Sequence, residues 1–116
     1  MLACFVGVAA CGGGSNDPGS AEPKGPAVAQ LTFSANNFAF TPKAATAPAG
    51  ILGITLKSTA GGHDFVIEDV PGFELVTPGS GDTDSGKVEL KKGKYTFYCS
   101  LPGHRAAGME GTLTVG

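Results

Sequence analysis

The 116-residue chain is 41% hydrophobic and carries 8 Lys and Arg against 10 Asp and Glu, a formal net charge of -2 at pH 7. That length accommodates one domain with a modest core and excludes a second. The near-balanced, interspersed charge offers no basic stripe for a phosphate backbone, which argues against a nucleic-acid partner. With 19 glycines and 8 prolines, turns are frequent and the stretches between them suit strands rather than helices.

In chain order, the opening segment Met1-Leu2-Ala3-Cys4-Phe5-Val6-Gly7-Val8-Ala9-Ala10-Cys11 is apolar. Ten residues before Cys11 fall well short of the roughly 20 that a helix needs to cross a bilayer. Residues 1–11 therefore read as a signal segment, although no Lys or Arg precedes the apolar run. Val8-Ala9-Ala10-Cys11 resembles a bacterial lipobox. That resemblance implies cleavage before Cys11, acylation of Cys11, and a lipid-anchored protein on the periplasmic, extracytoplasmic face of a membrane. Residues 12–27, rich in Gly, Ser and Pro, have little to bury and read as a flexible linker.

From residue 28 the pattern changes to short apolar-alternating runs, expected as strands near 29–35, 38–40, 51–58, 64–68, 86–90, 93–98 and 110–115. Leu31 and Phe33, Leu52, Ile54 and Leu56, Phe65 and Ile67, Val88 and Leu90, and Leu113 and Val115 are the inward-facing candidates. Lys91-Lys92-Gly93-Lys94 reads as a solvated turn, residues 78–86 as an exposed loop, and 69–77 as no more than a turn because of Pro71 and Gly72. An all-β sandwich is the packing that such segments favour.

Near the end of the chain Cys99, His104 and Met109 follow one another at five-residue intervals. A soft thiolate, a borderline imidazole and a soft thioether suit copper, and a His2Cys set with a long axial Met is the blue-copper arrangement. The second imidazole comes from His63, the other histidine of the chain, at the head of His63-Asp64-Phe65-Val66-Ile67. Taken singly, a cysteine on a strand or a methionine beside one is an ordinary core residue. The combination of four donor types in this order is what points to a metal. Cys4 and Cys11 both lie in the first 11 residues, so Cys99 has no disulfide framework to join.

Cys-x4-His-x4-Met, preceded by Tyr95-Thr96-Phe97-Tyr98 and followed by Gly111-Thr112-Leu113-Thr114-Val115, resembles the ligand loop of the cupredoxins, the small blue copper proteins. The spacing is most similar to that of auracyanins and rusticyanin; plastocyanin loops are shorter before the histidine and azurin loops shorter before the methionine. The resemblance covers residues 28–116 and implies an eight-stranded Greek-key β-sandwich that holds one copper, cycling between Cu(I) and Cu(II). His63, Cys99, His104 and Met109 would be the ligands. It further implies an electron carrier rather than an enzyme, a monomer that meets redox proteins through an apolar patch of Leu101, Pro102, Ala106 and Ala107 around His104.

Three neighbours of the ligands are expected to support them: Asp64 and Ser100, placed to hydrogen-bond between the two ligand segments, and Gly62, which either approaches the metal or serves a tight loop. Pro102-Gly103 is expected to turn the chain so that Cys99 and His104 face one metal. A Cys-His nucleophilic pair would leave His63 and Met109 unexplained, and zinc would make poor use of Met109. The competing role is a periplasmic copper-binding or copper-delivery protein with no redox partner.

Overall fold

The structure, a computed structural model, describes residues 23–116, so the signal segment, Cys11 and most of the linker lie outside the described residues. Among the described residues, nine strands form two sheets: β1 (Ala29–Asn36), β2 (Ala39–Thr41), β3 (Ala44–Ala47), β4 (Gly50–Ser58), β5 (His63–Ile67), β6 (Glu74–Thr77), β7 (Thr83–Leu90), β8 (Gly93–Tyr98) and β9 (Glu110–Val115). One sheet runs β2-β1-β4-β7 and the other β3-β9-β8-β5-β6. The parallel pairs are β1 with β4 and β3 with β9, and the remaining ladders are antiparallel. No helix among the described residues is long and apolar enough to cross a membrane.

Period-two alternation places the inward-facing candidates in the core except Leu31, which is only half-buried against it. Phe33 from β1, Leu52, Ile54 and Leu56 from β4, Phe65 and Ile67 from β5, Val88 and Leu90 from β7, and Leu113 and Val115 from β9 are all buried. Four aromatic rings fill the space between the sheets: Phe97 lies 4.7 Å from Phe33, 5.0 Å from Phe65 and 5.6 Å from Phe40. Burying a side chain of this kind contributes about 1.5–3 kcal/mol, and offset or tilted ring pairs add to that. Cys99 and Met109 belong to the same buried cluster, so the functional end of the sandwich grows directly out of its core.

Two strands lie outside the runs of alternating apolar residues. Ala44–Ala47 has no large side chain to give a periodic signal, and it is held by parallel pairing from Ala44↔Thr112 to Ala47↔Val115. Within residues 69–77, read from the sequence as no more than a turn, Glu74–Thr77 is instead a strand paired antiparallel with β5, and it buries Leu75 and Thr77, the latter with its hydroxyl donating to His63 O at 3.2 Å. The polar stretch Thr83-Asp84-Ser85, read as part of a loop, is the start of β7. It pairs with β4 from Lys57↔Thr83, reinforced by a 2.9 Å hydroxyl contact between Thr55 and Ser85.

The last residues of the linker lie along the sandwich. The Val28 N–H donates to Ile51 O at 2.7 Å and the Lys87 ammonium to Gly25 O at 2.8 Å, which holds residues 25–28 beside β4 and β7. The registers put the end of β1, the start of β5, the end of β8 and the start of β9 at one end of the molecule, through Ala35↔Ser58, His63↔Thr77 and Tyr98↔Glu110.

Candidate metal centre

At that end, donor atoms of His63, Cys99 and His104 all lie within 4.8 Å of one another. Two bonds of about 2.0–2.3 Å to a common ion span nearly that distance. Each donor is brought there by a different local device.

His63 opens β5 after the tight turn at residues 59–62, where Gly61 has φ +78°. The turn is pinned by the Ser58 hydroxyl to Gly61 O at 2.5 Å and by the Gly61 N–H to Ser80 Oγ at 2.9 Å. Gly62 passes so close to the next strand connection that a Cβ there would stand 2.7 Å from Pro78 O. Close backbone approach is therefore a sufficient reason for glycine at position 62. The His63 ring is 1% exposed, and its Nε2 lies 2.6 Å from Ala60 O. A carbonyl only accepts, so Nε2 carries the proton and Nδ1 presents a lone pair. That Nδ1 is buried and has no hydrogen-bond partner among the described residues. An orphaned buried acceptor costs about 1–3 kcal/mol, a cost that a metal ligated at that atom removes.

Cys99 follows β8 and is fully buried with a free thiol. Its Sγ lies 3.4 Å from His104 Nδ1 and 3.5 Å from the Asp64 backbone N–H. Burial pushes the Cys99 thiol above its ordinary range, and the backbone N–H groups of Asp64 and Leu101 pull in the opposite direction without overcoming it. The metal-free protein therefore holds a thiol, and metal entry must release its proton. Apparent copper affinity is expected to rise about tenfold per pH unit from pH 7 to at least pH 8.5, the ordinary thiol range. Competition against a chelator of known proton affinity measures this slope, and a flat profile would contradict a protonated Cys99.

His104 sits in a loop that folds back on itself. The His104 N–H reaches Leu101 O at 3.1 Å across Pro102-Gly103, with Gly103 at φ +81°. Proline at the second position and a positive-φ glycine at the third make a type II turn. The loop closes at its base, where the Cys99 N–H donates to Met109 O and the Met109 N–H to His104 O, both at 3.1 Å. Met109 is completely buried beneath the loop, its backbone thus bonded to both Cys99 and His104.

Asp64 links the two ligand segments, as its position beside His63 suggested. Its carboxylate accepts the Ser100 N–H at 2.6 Å and also the Ser100 hydroxyl, while the residue is 3% exposed. Interaction with the same carboxylate raises the Glu74 carboxyl above its ordinary range, with desolvation adding to the effect. Two features of the site were not read from the sequence. Phe38, taken there as a strand residue, lies in the β1–β2 turn, 45% exposed, with its ring edge-on to His104 at 4.8 Å between centroids. Arg105, noted only as a charge beside the patch, spreads over Tyr98 with its Cζ 4.1 Å from the ring centroid. Leu101, Pro102, Ala106 and Ala107 are all exposed around His104.

A β-sandwich with a Cys and two His gathered at one end defines a class, the cupredoxins, and the donor set fits copper: soft sulfur, two imidazoles and an unpaired buried Nδ1. Residues 27–116 match the family model described as "Copper binding proteins, plastocyanin/azurin family", and the chain belongs to that family. It is 32% identical over 109 residues to the plastocyanin of Prochlorothrix hollandica, covering 83% of this chain and 79% of the relative. The azurin of Pseudomonas fluorescens biotype C is 49% identical over 41 residues, 32% of this chain and 31% of the azurin. Among solved structures, the dithionite-reduced auracyanin of Roseiflexus castenholzii aligns with a TM-score of 0.67 at 26% identity, over 78% of this chain and 99% of that one. Auracyanin B aligns at 0.71 over 84% and 96%, and with 21% identity it speaks to the fold alone.

Proposed function

We propose that the protein is a mononuclear type 1 copper electron carrier, with His63, Cys99 and His104 as equatorial ligands and Met109 as the weak axial one. The observation that carries this reading is the buried cluster of Cys99 Sγ and two imidazoles with the His63 Nδ1 left unpaired. When bound, copper supplies a one-electron couple. The chain's own contribution is to keep the donors in place: the Ala60 carbonyl fixes the His63 tautomer, Asp64 ties Ser100 to β5, and the loop closes through Met109. A site that both oxidation states tolerate with little movement transfers electrons quickly. Cys99 lacks the traits of a catalytic nucleophile, which is an exposed thiol of lowered pKa; here it is buried and pushed up.

Exchange with redox partners takes place at the His104 end, where Leu101, Pro102, Ala106 and Ala107, joined by Phe38, make an uncharged surface. Such encounters need only a small contact area. Voltammetry of the copper-loaded protein is expected to give one reversible one-electron wave. Irreversible reduction, with copper passing to an added Cu(I) chelator on the same timescale, would favour copper delivery instead.

The lipobox-like end of the opening segment and the Gly/Ser/Pro tract support an extracytoplasmic domain tethered through an acylated Cys11. Expressed from the full chain, the protein is expected in the membrane fraction and its Cys11→Ala variant in the soluble fraction. Equal membrane association of the two would rule out acylation at Cys11 as the anchor.

A further inference from the structure

We propose that Arg105 is a positioning residue for the metal centre, a clamp that holds the ligand loop in its metal-binding arrangement before any metal arrives. The argument starts from what its side chain touches. Arg105 follows His104 in sequence. Its guanidinium lies 4.1 Å over the ring of Tyr98, which precedes Cys99. Its Nε donates to Glu110 at 2.8 Å, the residue after Met109. Its Nη2 donates to Glu68 at 3.2 Å, just beyond β5, the strand that begins with His63. One planar group thus gathers the sequence neighbours of Cys99, His104 and Met109 and the far end of the strand that supplies His63.

An ordinary reading of exposed ion pairs gives them little weight, and Arg105 is 40% exposed. Three features separate this one from an ordinary pair. The fork of a guanidinium is rigid, so less freedom is lost per contact when it holds two carboxylates and an aromatic face. Both carboxylates hold the guanidinium firmly charged. Beyond the closed base at Cys99 and Met109, the backbone hydrogen bonds of the loop run inward, from His104 to Leu101, Ala107 to Gly103 and Gly108 to Arg105, so they shape its outer part without fixing that part to the neighbouring strands. Arg105 supplies that attachment, and the 3.4 Å approach of His104 Nδ1 to Cys99 Sγ is the arrangement it preserves. A lysine has the charge but lacks the fork, so it cannot replace it.

The proposal rests on the ligand assignment above, and its test is chosen to stand apart from copper binding. Amide hydrogen exchange is followed in the metal-free full chain for wild type, Arg105→Ala, Arg105→Lys, and the pair Glu68→Gln with Glu110→Gln. His104, Ala107 and Gly108 amides are expected to exchange at least tenfold faster in all three variants, while β1 and β4 amides keep their protection. Once loaded with copper, Arg105→Ala is expected to show an altered ratio of thiolate-to-copper absorption bands. Unchanged loop protection in Arg105→Ala, full rescue by lysine, or faster exchange with an unaltered spectrum would each overturn the positioning role. Absence of a thiolate band in every protein, wild type included, would instead refute the copper site, and the exchange measurements would decide the clamp alone.

Discussion

Replacing Phe97 with alanine is expected to remove about 3–5 kcal/mol of folding stability, out of the roughly 5–15 kcal/mol that a domain of this size possesses. The ring is fully buried and touches Phe33, Phe40 and Phe65 from both sheets, so no other side chain can move in without opening the sandwich. Its seat is shaped for it: across the ladder stands Gly111, where a Cβ would come within 2.4 Å of the Phe97 ring. Phe97 also lies two residues before Cys99, so the cavity would open directly under the metal centre. Urea unfolding of the metal-free protein checks this through the midpoint, with the slope unchanged. A loss below about 1 kcal/mol would mean that the core collapses around the vacancy, contrary to the close packing described.

The second large effect is expected at Asp64. Alanine there leaves the Ser100 N–H without its acceptor and severs the link between the His63 and Cys99 segments, a loss of about 1.5–3 kcal/mol for hydrogen bonds to a charged group. Asp64→Asn keeps the shape while removing the charge, and two signs follow. A negative charge near the metal favours the more positive oxidised state, so its removal is expected to raise the reduction potential. Glu74, whose carboxyl is raised chiefly by its interaction with Asp64, is expected to fall back toward the ordinary carboxylate range, which NMR titration of its side chain records. An unchanged potential together with an unchanged Glu74 titration would contradict this electrostatic role for Asp64.

Much of the fold is written in alternation that survives reading by eye. Leu52, Ile54 and Leu56 point one way along β4, and Leu113 and Val115 along β9, because each strand has one face in the core. Ala44–Ala47 was illegible because alanine and threonine carry too little apolar contrast, and β6 because its buried Thr77 is polar and satisfied by a backbone carbonyl 14 residues away. The cluster of His63, Cys99 and His104 was legible because copper chemistry restricts residue type as well as spacing. What surrounds them was not. Phe38 meets His104 from the distant β1–β2 turn, and Arg105 meets Glu68 across 37 residues of sequence, so neither contact leaves a local pattern. Asp64 with Ser100 was legible for the opposite reason, since each adjoins a ligand.

The measurement that bears most directly on the account is the visible absorption and electron paramagnetic resonance spectrum of the protein with one equivalent of Cu(II), beside its Cys99→Ser variant. A type 1 centre on Cys99, His63 and His104 predicts an intense thiolate-to-copper band and a narrow copper hyperfine splitting in the wild type, both absent from the variant. A colourless wild type, or one with only the wide splitting of ordinary tetragonal copper, would contradict the electron-carrier reading.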